Sequence, residues 1–196
     1  MIAKYPKICP YLDLPLQHIS DKILKRMNRP LKKNDIISLI NRLRNRIPNL
    51  TLRTTLMVGF PGETEQDFEE LLSFVKNIRF ERLGAFIFSR EEGTRAYDFP
   101  QQIPLRIKKE RLKRLMLNQQ VISKEINNLY VGKKIEVLID EIKLDTPKIA
   151  IGRTKGDAPE IDGKVVIKGD NTHLGEFIKV KVTEASEYDL VGEISR

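Results

Sequence analysis

The sequence predicts an α/β fold: parallel strands with helices outside them, followed by a small antiparallel β-barrel of OB-like type. Three observations carry that prediction. A strand, a glycine turn and an amphipathic helix succeed one another between Thr51 and Asn77. One long helical pattern runs from Leu105 to Tyr130. From Lys133 onward the texture changes to short β-rich runs separated by turn signals.

In chain order, Tyr11 to Gln17 (YLDLPLQ) alternates, with Leu12, Leu14 and Leu16 on one face and Asp13, Pro15 and Gln17 on the other. That spacing predicts a strand ending at Gln17-His18. Ser20 is placed to cap a short helix whose buried face is Ile23, Leu24 and Met27. A second helix begins near Asn34, with Ile36, Ile40, Leu43 and Ile47 at helical spacing, and Pro48 ends it.

Leu52 to Phe60 is an apolar, β-branched run of the kind covered on both faces in parallel sheets. Gly59-Phe60-Pro61-Gly62 interrupts it, with two glycines free to take positive φ. Thr64 then starts a helix, with Asp67 in the capping-box position and Glu63 and Glu65 at the positive helix end. Phe68, Leu71, Leu72, Val75 and Ile78 form its apolar stripe. Ligands of α/β proteins sit at the carboxyl ends of the strands, so the turn from Gly59 to Glu63 is a candidate ligand site. No Lys-Ser/Thr pair follows the second glycine, so it is not a Walker loop.

A third strand is expected over Leu83–Phe88, then a polar loop from Ser89 to Pro104 in which Glu91-Glu92-Gly93 reads as a turn. The long helix turns Leu112, Leu115, Met116, Gln119, Ile122, Ile126 and Leu129 inward, and Gly132 stops it. Its basic run from Arg106 to Arg114 reads as the solvated outer face. Five short strands follow, at 135–141, 148–153, 164–169, 176–185 and 189–194. The domain boundary is expected near Tyr130, dividing the chain into 1–130 and 131–196. Three parallel strands are few for a closed domain and read as the last units of a larger barrel.

Composition narrows the class. The 196 residues are 40% hydrophobic and 32% charged, as in an ordinary soluble protein. No apolar run approaches the ~20 residues that span a bilayer. The first residues lack the apolar centre and cleavage site of a signal peptide, so a cytoplasmic location is the expectation. The single cysteine, Cys9, excludes an internal disulfide framework and a metal site of several cysteines. His18 and His173 fall in different predicted domains, so no histidine metal pair is expected. The net charge of +8 divides unevenly: residues 1–130 carry +10 and residues 131–196 carry −2. Nucleic-acid binding inferred from overall basicity therefore attaches only to the first part.

Taken together, YLDLPLQHIS (11–20), RTTLMVGFPGETEQDF (53–68), RLGAFIFSREEGT (82–94) and the C-terminal strands resemble the methylthiotransferase family of radical S-adenosylmethionine (SAM) enzymes. The resemblance implies the C-terminal part of a radical SAM (β/α) TIM-like barrel followed by a TRAM domain. LDLPLQHIS and GDAPEIDG (156–163) are similar to the branch that methylthiolates an aspartate of the twelfth small-subunit ribosomal protein. A transfer-RNA methylthiotransferase and a non-catalytic binding module are the alternatives.

The resemblance implies SAM as cofactor, with 4Fe-4S clusters in the full-length enzyme. One thiolate does not hold a four-iron cluster, so the ligands are absent from these residues, and no catalytic or metal-ligating residue is expected in the chain. On the SAM side it points to Gln17, Arg53, Thr55 and Gly59. Arg53 can clamp a cofactor carboxylate or pair with Asp13, and Thr55 shares its face. In the acidic second domain, Asp157, Glu160 and Asp162, with Asp140, Glu141 and Asp145 in an earlier connection, are candidates for docking a basic ribosomal protein in preference to transfer RNA.

Overall fold

The computed structural model describes residues 1–143, 149–169 and 172–195. Asp145 and Lys148, used in the expectations above, lie outside them. Two compact units are present: Leu12–Gln119, and Met1–Tyr11 together with Gln120–Arg196.

The first unit carries a three-stranded sheet in the order β1 (Tyr11–Gln17), β2 (Thr51–Val58), β3 (Arg82–Ile87). β2 and β3 run parallel, with Arg53 opposite Arg82, Thr55 opposite Gly84 and Met57 opposite Phe86. Because side chains alternate across a strand, Leu52, Leu56 and Val58 of β2 lie together on one face, and all three are fully buried. Helices α1 (Asp21–Arg26), α2 (Lys33–Arg46) and α3 (Glu65–Ile78) contribute Ile23, Leu24, Ile36, Ile40, Phe68, Leu71 and Val75 to the buried set. Full burial of each such side chain stabilises by roughly 1.5–3 kcal/mol. The opposite face of β2, with Arg53, Thr55 and Met57, is only half buried.

α3 begins as its sequence requires. Thr64 Oγ1 accepts from the Asp67 N–H at 3.2 Å, while Asp67 Oδ2 accepts from the Thr64 N–H at 2.8 Å. Ser20 behaves differently from expectation: its side chain makes no cap bond in α1 and instead donates to Asp67 Oδ1 at 2.7 Å. A charged acceptor makes the stronger hydrogen bond, and it sets the orientation of the hydroxyl. Lys22 Nζ adds a third element to the cluster, 3.0 Å from Asp67 Oδ2.

Burial alone would raise the Asp67 carboxyl; the hydrogen bonds from Thr64, Ser20 and Lys22 outweigh it and hold the group far below the usual carboxylate range. An acid whose folded value is depressed stabilises the fold above its unfolded value, here near 3.8. Urea midpoints followed by circular dichroism should therefore be flat above about pH 5 and fall progressively below pH 4. Asp67→Asn should be less stable at pH 7 and show a shallower acid limb; an unchanged limb refutes the assignment.

The second unit is a closed five-stranded barrel in the order β4 (Lys134–Lys143), β5 (Ile149–Arg153), β6 (Val165–Lys168), β8 (Leu190–Ile194), β7 (Phe177–Ala185). Four seams are antiparallel, and the β6–β8 seam is parallel. Val137, Ile139, Ala150, Val165, Ile167, Val180, Val182 and Leu190 fill its core. Register shifts at Ile139/Glu141 and Val182/Glu184 supply the bends that closure needs.

Helix α4 (Leu105–Asn128) departs most from its sequence reading. Leu115, Gln119 and Ile122 are buried as expected, but Leu129 is 66% exposed. Lys108 and Arg111, read as solvated, are 8% and 5% exposed. Their partners explain the difference. Lys108 Nζ donates to the Phe88 carbonyl at 2.8 Å, and Arg111 Nη1 donates to Glu63 Oε1 at 2.7 Å. Two cations lie on the buried stripe because the turn after β2 and the end of β3 present acceptors there.

Candidate functional site

The half-buried face of the sheet and the loops at its carboxyl end form the candidate site. Arg53 Nη1 donates to Asp13 Oδ2 at 2.6 Å and lies 3.4 Å from Thr55 Oγ1. Of the two roles open to Arg53, the Asp13 pair is therefore present. Further along the same face, Met57 and Phe86 stand in register and border a cavity of about 470 Å³. Gln17, the last residue of β1, is also on its wall. Gln17 holds φ of +71°, rare for a residue with a side chain, and its buried Oε1 has no hydrogen-bond partner.

The remaining wall was not foreseen. The segment closing α1 supplies Arg26 and Arg29, and Arg95, Ala96 and Phe99 come from a 3₁₀ turn (Arg95–Asp98) and the residue after it. Phe60 packs edge-on against Phe88 and Phe99, at centroid distances of 5.1 and 6.1 Å, and the Arg26 guanidinium lies 5.2 Å over the Phe99 ring. The signal available in the sequence was the basic run KRMNR (25–29), shortly beyond a strand's carboxyl end.

Gly59 takes φ of +75° and Gly62 +83°, as the turn reading requires. The Gly59 N–H donates to Glu63 Oε2 at 2.8 Å, and the space above its Cα is filled by the Lys108 stem. Glu63, expected merely to sit at a helix end, is buried and meets three groups: the Gly59 N–H, Arg111, and His18 Nε2 at 3.5 Å. His18 Nδ1 accepts from the Ser20 N–H at 3.0 Å, which leaves the proton on Nε2 facing Glu63. Burial lowers the Lys108 ammonium, and the neighbouring Glu63 charge opposes that fall. This polar cluster fixes the turn from behind. Of the four predicted cofactor residues, Gln17 borders the cavity, Arg53 and Thr55 lie earlier on the face that Met57 continues, and Gly59 sits at the pinned turn.

In the second unit, Asp157, Glu160 and Asp162 fall on one loop. Asp157 Oδ2 accepts from the Thr154 hydroxyl at 2.6 Å, and Asp162 Oδ2 accepts from the Ala158 N–H and the Tyr11 hydroxyl, both at 2.8 Å. These two carboxylates shape the loop, while Glu160 is exposed at φ of +66°. Asp140 pairs with Arg153 at 2.7 Å. Among the described residues, no group of three or more His, Cys, Asp or Glu is placed to hold a metal ion.

Comparison with known proteins places these features. Residues 1–75 match the Radical SAM superfamily and residues 131–194 match the TRAM domain. The ribosomal protein uS12 methylthiotransferase RimO of Clostridioides difficile (strain 630) is 50% identical over 195 residues, 99% of this chain and 44% of that protein. The protein of the same name from Petrotoga mobilis is 51% identical, covering 98% of this chain and 44% of that one. Along nearly its whole length the chain is thus similar to proteins named uS12 methylthiotransferase, with a radical SAM part followed by a TRAM part. It spans less than half the length of the curated relatives it matches. Among solved structures, the radical SAM enzyme coproporphyrinogen III oxidase (HemN) from Escherichia coli aligns with a TM-score of 0.49 at 19% identity, over 59% of this chain and 27% of that one. No helix among the described residues is long and apolar enough to cross a membrane.

Proposed function

We propose that this chain is the SAM-pocket wall and substrate-docking part of a cytoplasmic methylthiotransferase that modifies an aspartate of ribosomal protein uS12. The observation carrying the reading is near-50% identity along 99% of the chain to proteins bearing that name. We assign 1–130 to the barrel part and 131–196 to the docking part, a functional division that differs from the compact units, which group Met1–Tyr11 and residues 120–130 with the C-terminal strands.

The residues fit a SAM pocket in one respect that the structure supplies. Gln17 brings an unpartnered buried oxygen to a cavity at the carboxyl end of the strands, where an amino or hydroxyl donor of the cofactor would satisfy it. Bound SAM supplies methyl and radical chemistry. Gln17 would orient it, Gly59 would hold the turn beside it, and the Arg53–Thr55 pair would continue the polar face towards it. The residues do not fit an iron–sulfur cluster, because Cys9 is the one cysteine. In the whole enzyme, cluster ligands would come from outside these residues.

The docking partner is a basic protein steered by the acidic second domain, with Glu160 presented at the loop and Asp157 and Asp162 holding its shape. Titration of the full chain with uS12 and with transfer RNA at two salt concentrations tests this. Binding to uS12 should be tighter than to transfer RNA and weaken with salt. Glu160→Gln should weaken it by about two- to fivefold, the scale of an exposed charge pair. Tighter binding to transfer RNA, unaffected by Glu160→Gln, would move the chain to the transfer-RNA branch.

A further inference from the structure

The chain turns sharply at the end of β1 and then enters the interior. Gln17 holds φ of +71°, and the three residues after it, His18, Ile19 and Ser20, are all buried. A side chain at positive φ is costly, so the surroundings must hold Gln17 there. Burial of Ile19 draws the segment inward, but the hydrophobic effect has no direction and sets no register. Two polar anchors set it. The Ser20 hydroxyl donates to Asp67 Oδ1 at 2.7 Å. His18 Nδ1 accepts from the Ser20 N–H at 3.0 Å and turns its Nε2–H towards Glu63 Oε2, 3.5 Å away.

That second approach is longer than a full hydrogen bond, and among the described residues Nε2 has no other partner. The side chains of His18 and Glu63 are both fully buried, so water does not compete for the contact. In such an interior an N–H dipole facing a carboxylate at this range is still attractive. Glu63 Oε2 also accepts from the Gly59 N–H at 2.8 Å, while Arg111 fixes Oε1 at 2.7 Å. One carboxylate oxygen therefore faces two elements at once: the end of β1, through His18, and the turn after β2, through Gly59. Space filling would ask only for bulk at position 18. A fixed tautomer aimed at a charged oxygen asks for an N–H.

We infer that His18 is a positioning residue: through Glu63 it holds Gln17 at positive φ and in register with the turn at Gly59. The Gln17 amide oxygen then meets the cofactor already oriented. The inference rests on the proposed SAM pocket, in which Gln17 orients the cofactor. Such sites need their groups held to within about 0.5 Å, which a polar anchor on a rigid turn supplies and burial alone does not.

Nuclear magnetic resonance of the full chain reads the backbone of Gln17 directly. At positive φ the amide and Hα protons of one residue lie unusually close, and the nuclear Overhauser effect between them is strong. His18→Leu removes the N–H and keeps bulk; it should weaken that signal and add a second Gln17 resonance. SAM, titrated by calorimetry, should then bind about tenfold more weakly, because the competent conformer is no longer the populated one. His18→Gln restores an N–H at the reach of Nε2 and should return binding to within about twofold of the wild type, with the strong Gln17 signal. Phe74→Leu is the control for lost stability. Phe74 lies about two turns beyond Asp67 on α3 and packs on Phe80, with ring centroids 5.7 Å apart. Its replacement should lower the melting temperature and leave both readings unchanged. If His18→Leu does not fold, His18→Asn is read in its place and should behave as described for it, since it keeps an acceptor for the Ser20 N–H and drops the Nε2–H. An unchanged Gln17 signal, a His18→Gln variant no better than His18→Leu, or an equal loss in Phe74→Leu would each overturn the inference. A wild type that binds no SAM would sink the proposed pocket instead, and the Gln17 signal would still decide what His18 does.

Discussion

Replacing Arg111 by methionine should destabilise the first unit by about 3–5 kcal/mol, the cost of stranding a buried carboxylate. Arg111 is the cation that meets Glu63 inside the protein, bonding both its Oε1 at 2.7 Å and its carbonyl at 3.2 Å. The side chains of both residues are almost wholly buried. Arg114, one turn further along α4, is the matched control: it pairs with Glu65 and Glu69 at the surface, so Arg114→Met should cost under about 1 kcal/mol. The chain has no tryptophan, so urea unfolding is best followed by far-ultraviolet circular dichroism. Adding Glu63→Gln to Arg111→Met should recover part of the loss, because the stranded charge is gone. Equal effects of Arg111→Met and Arg114→Met would show that the buried pair does not hold the turn.

Gly59→Ala should cost about 2–4 kcal/mol, combining the strain of a side chain at positive φ with overpacking against Lys108. A Cβ added at Gly59 would collide with the Lys108 side chain, whose amine is tethered to the Phe88 carbonyl and cannot simply swing away. Gly93 isolates the first contribution. It has φ of +78° with nothing within 4 Å of an added Cβ, so Gly93→Ala should cost about 1–2 kcal/mol from strain alone. The excess at Gly59 then measures how tightly α4 presses on the turn. A Gly59→Ala loss no larger than that at Gly93 would mean that Lys108 gives way freely.

Both variants probe a site that was half legible beforehand. The turn itself was written locally: two glycines for positive φ, Thr64 and Asp67 for the helix start, and an apolar run before them. Its support was not. Glu63 and Arg111 are 48 residues apart, and Lys108 and Phe88 are 20 apart. A helical wheel puts Lys108 and Arg111 in line with Leu115, Gln119 and Ile122, but a reading by hydrophobicity assigns charged residues to the solvated face whatever their position. The cavity was missed for the same reason. Arg26 and Phe99 read as a surface charge and a loop aromatic until folding stacks one on the other. Arg53 was legible further, because a charge in an apolar strand demands a partner, and Asp13 was among the few on offer.

The sequence by itself determined the order and kind of elements in both units. Period-two and helical spacing, caps and turn residues act over a few neighbours, and such short-range signals survive in one dimension. It also carried the similarity to those relatives, because half of the aligned positions are identical. Only the tertiary structure decided which charged groups are buried, what fills the space above Gly59, and that Arg26, Arg29 and Arg95 border one cavity. Those outcomes depend on desolvation and on partners brought together from distant segments, and the free energy of a charge is set by what folding places beside it.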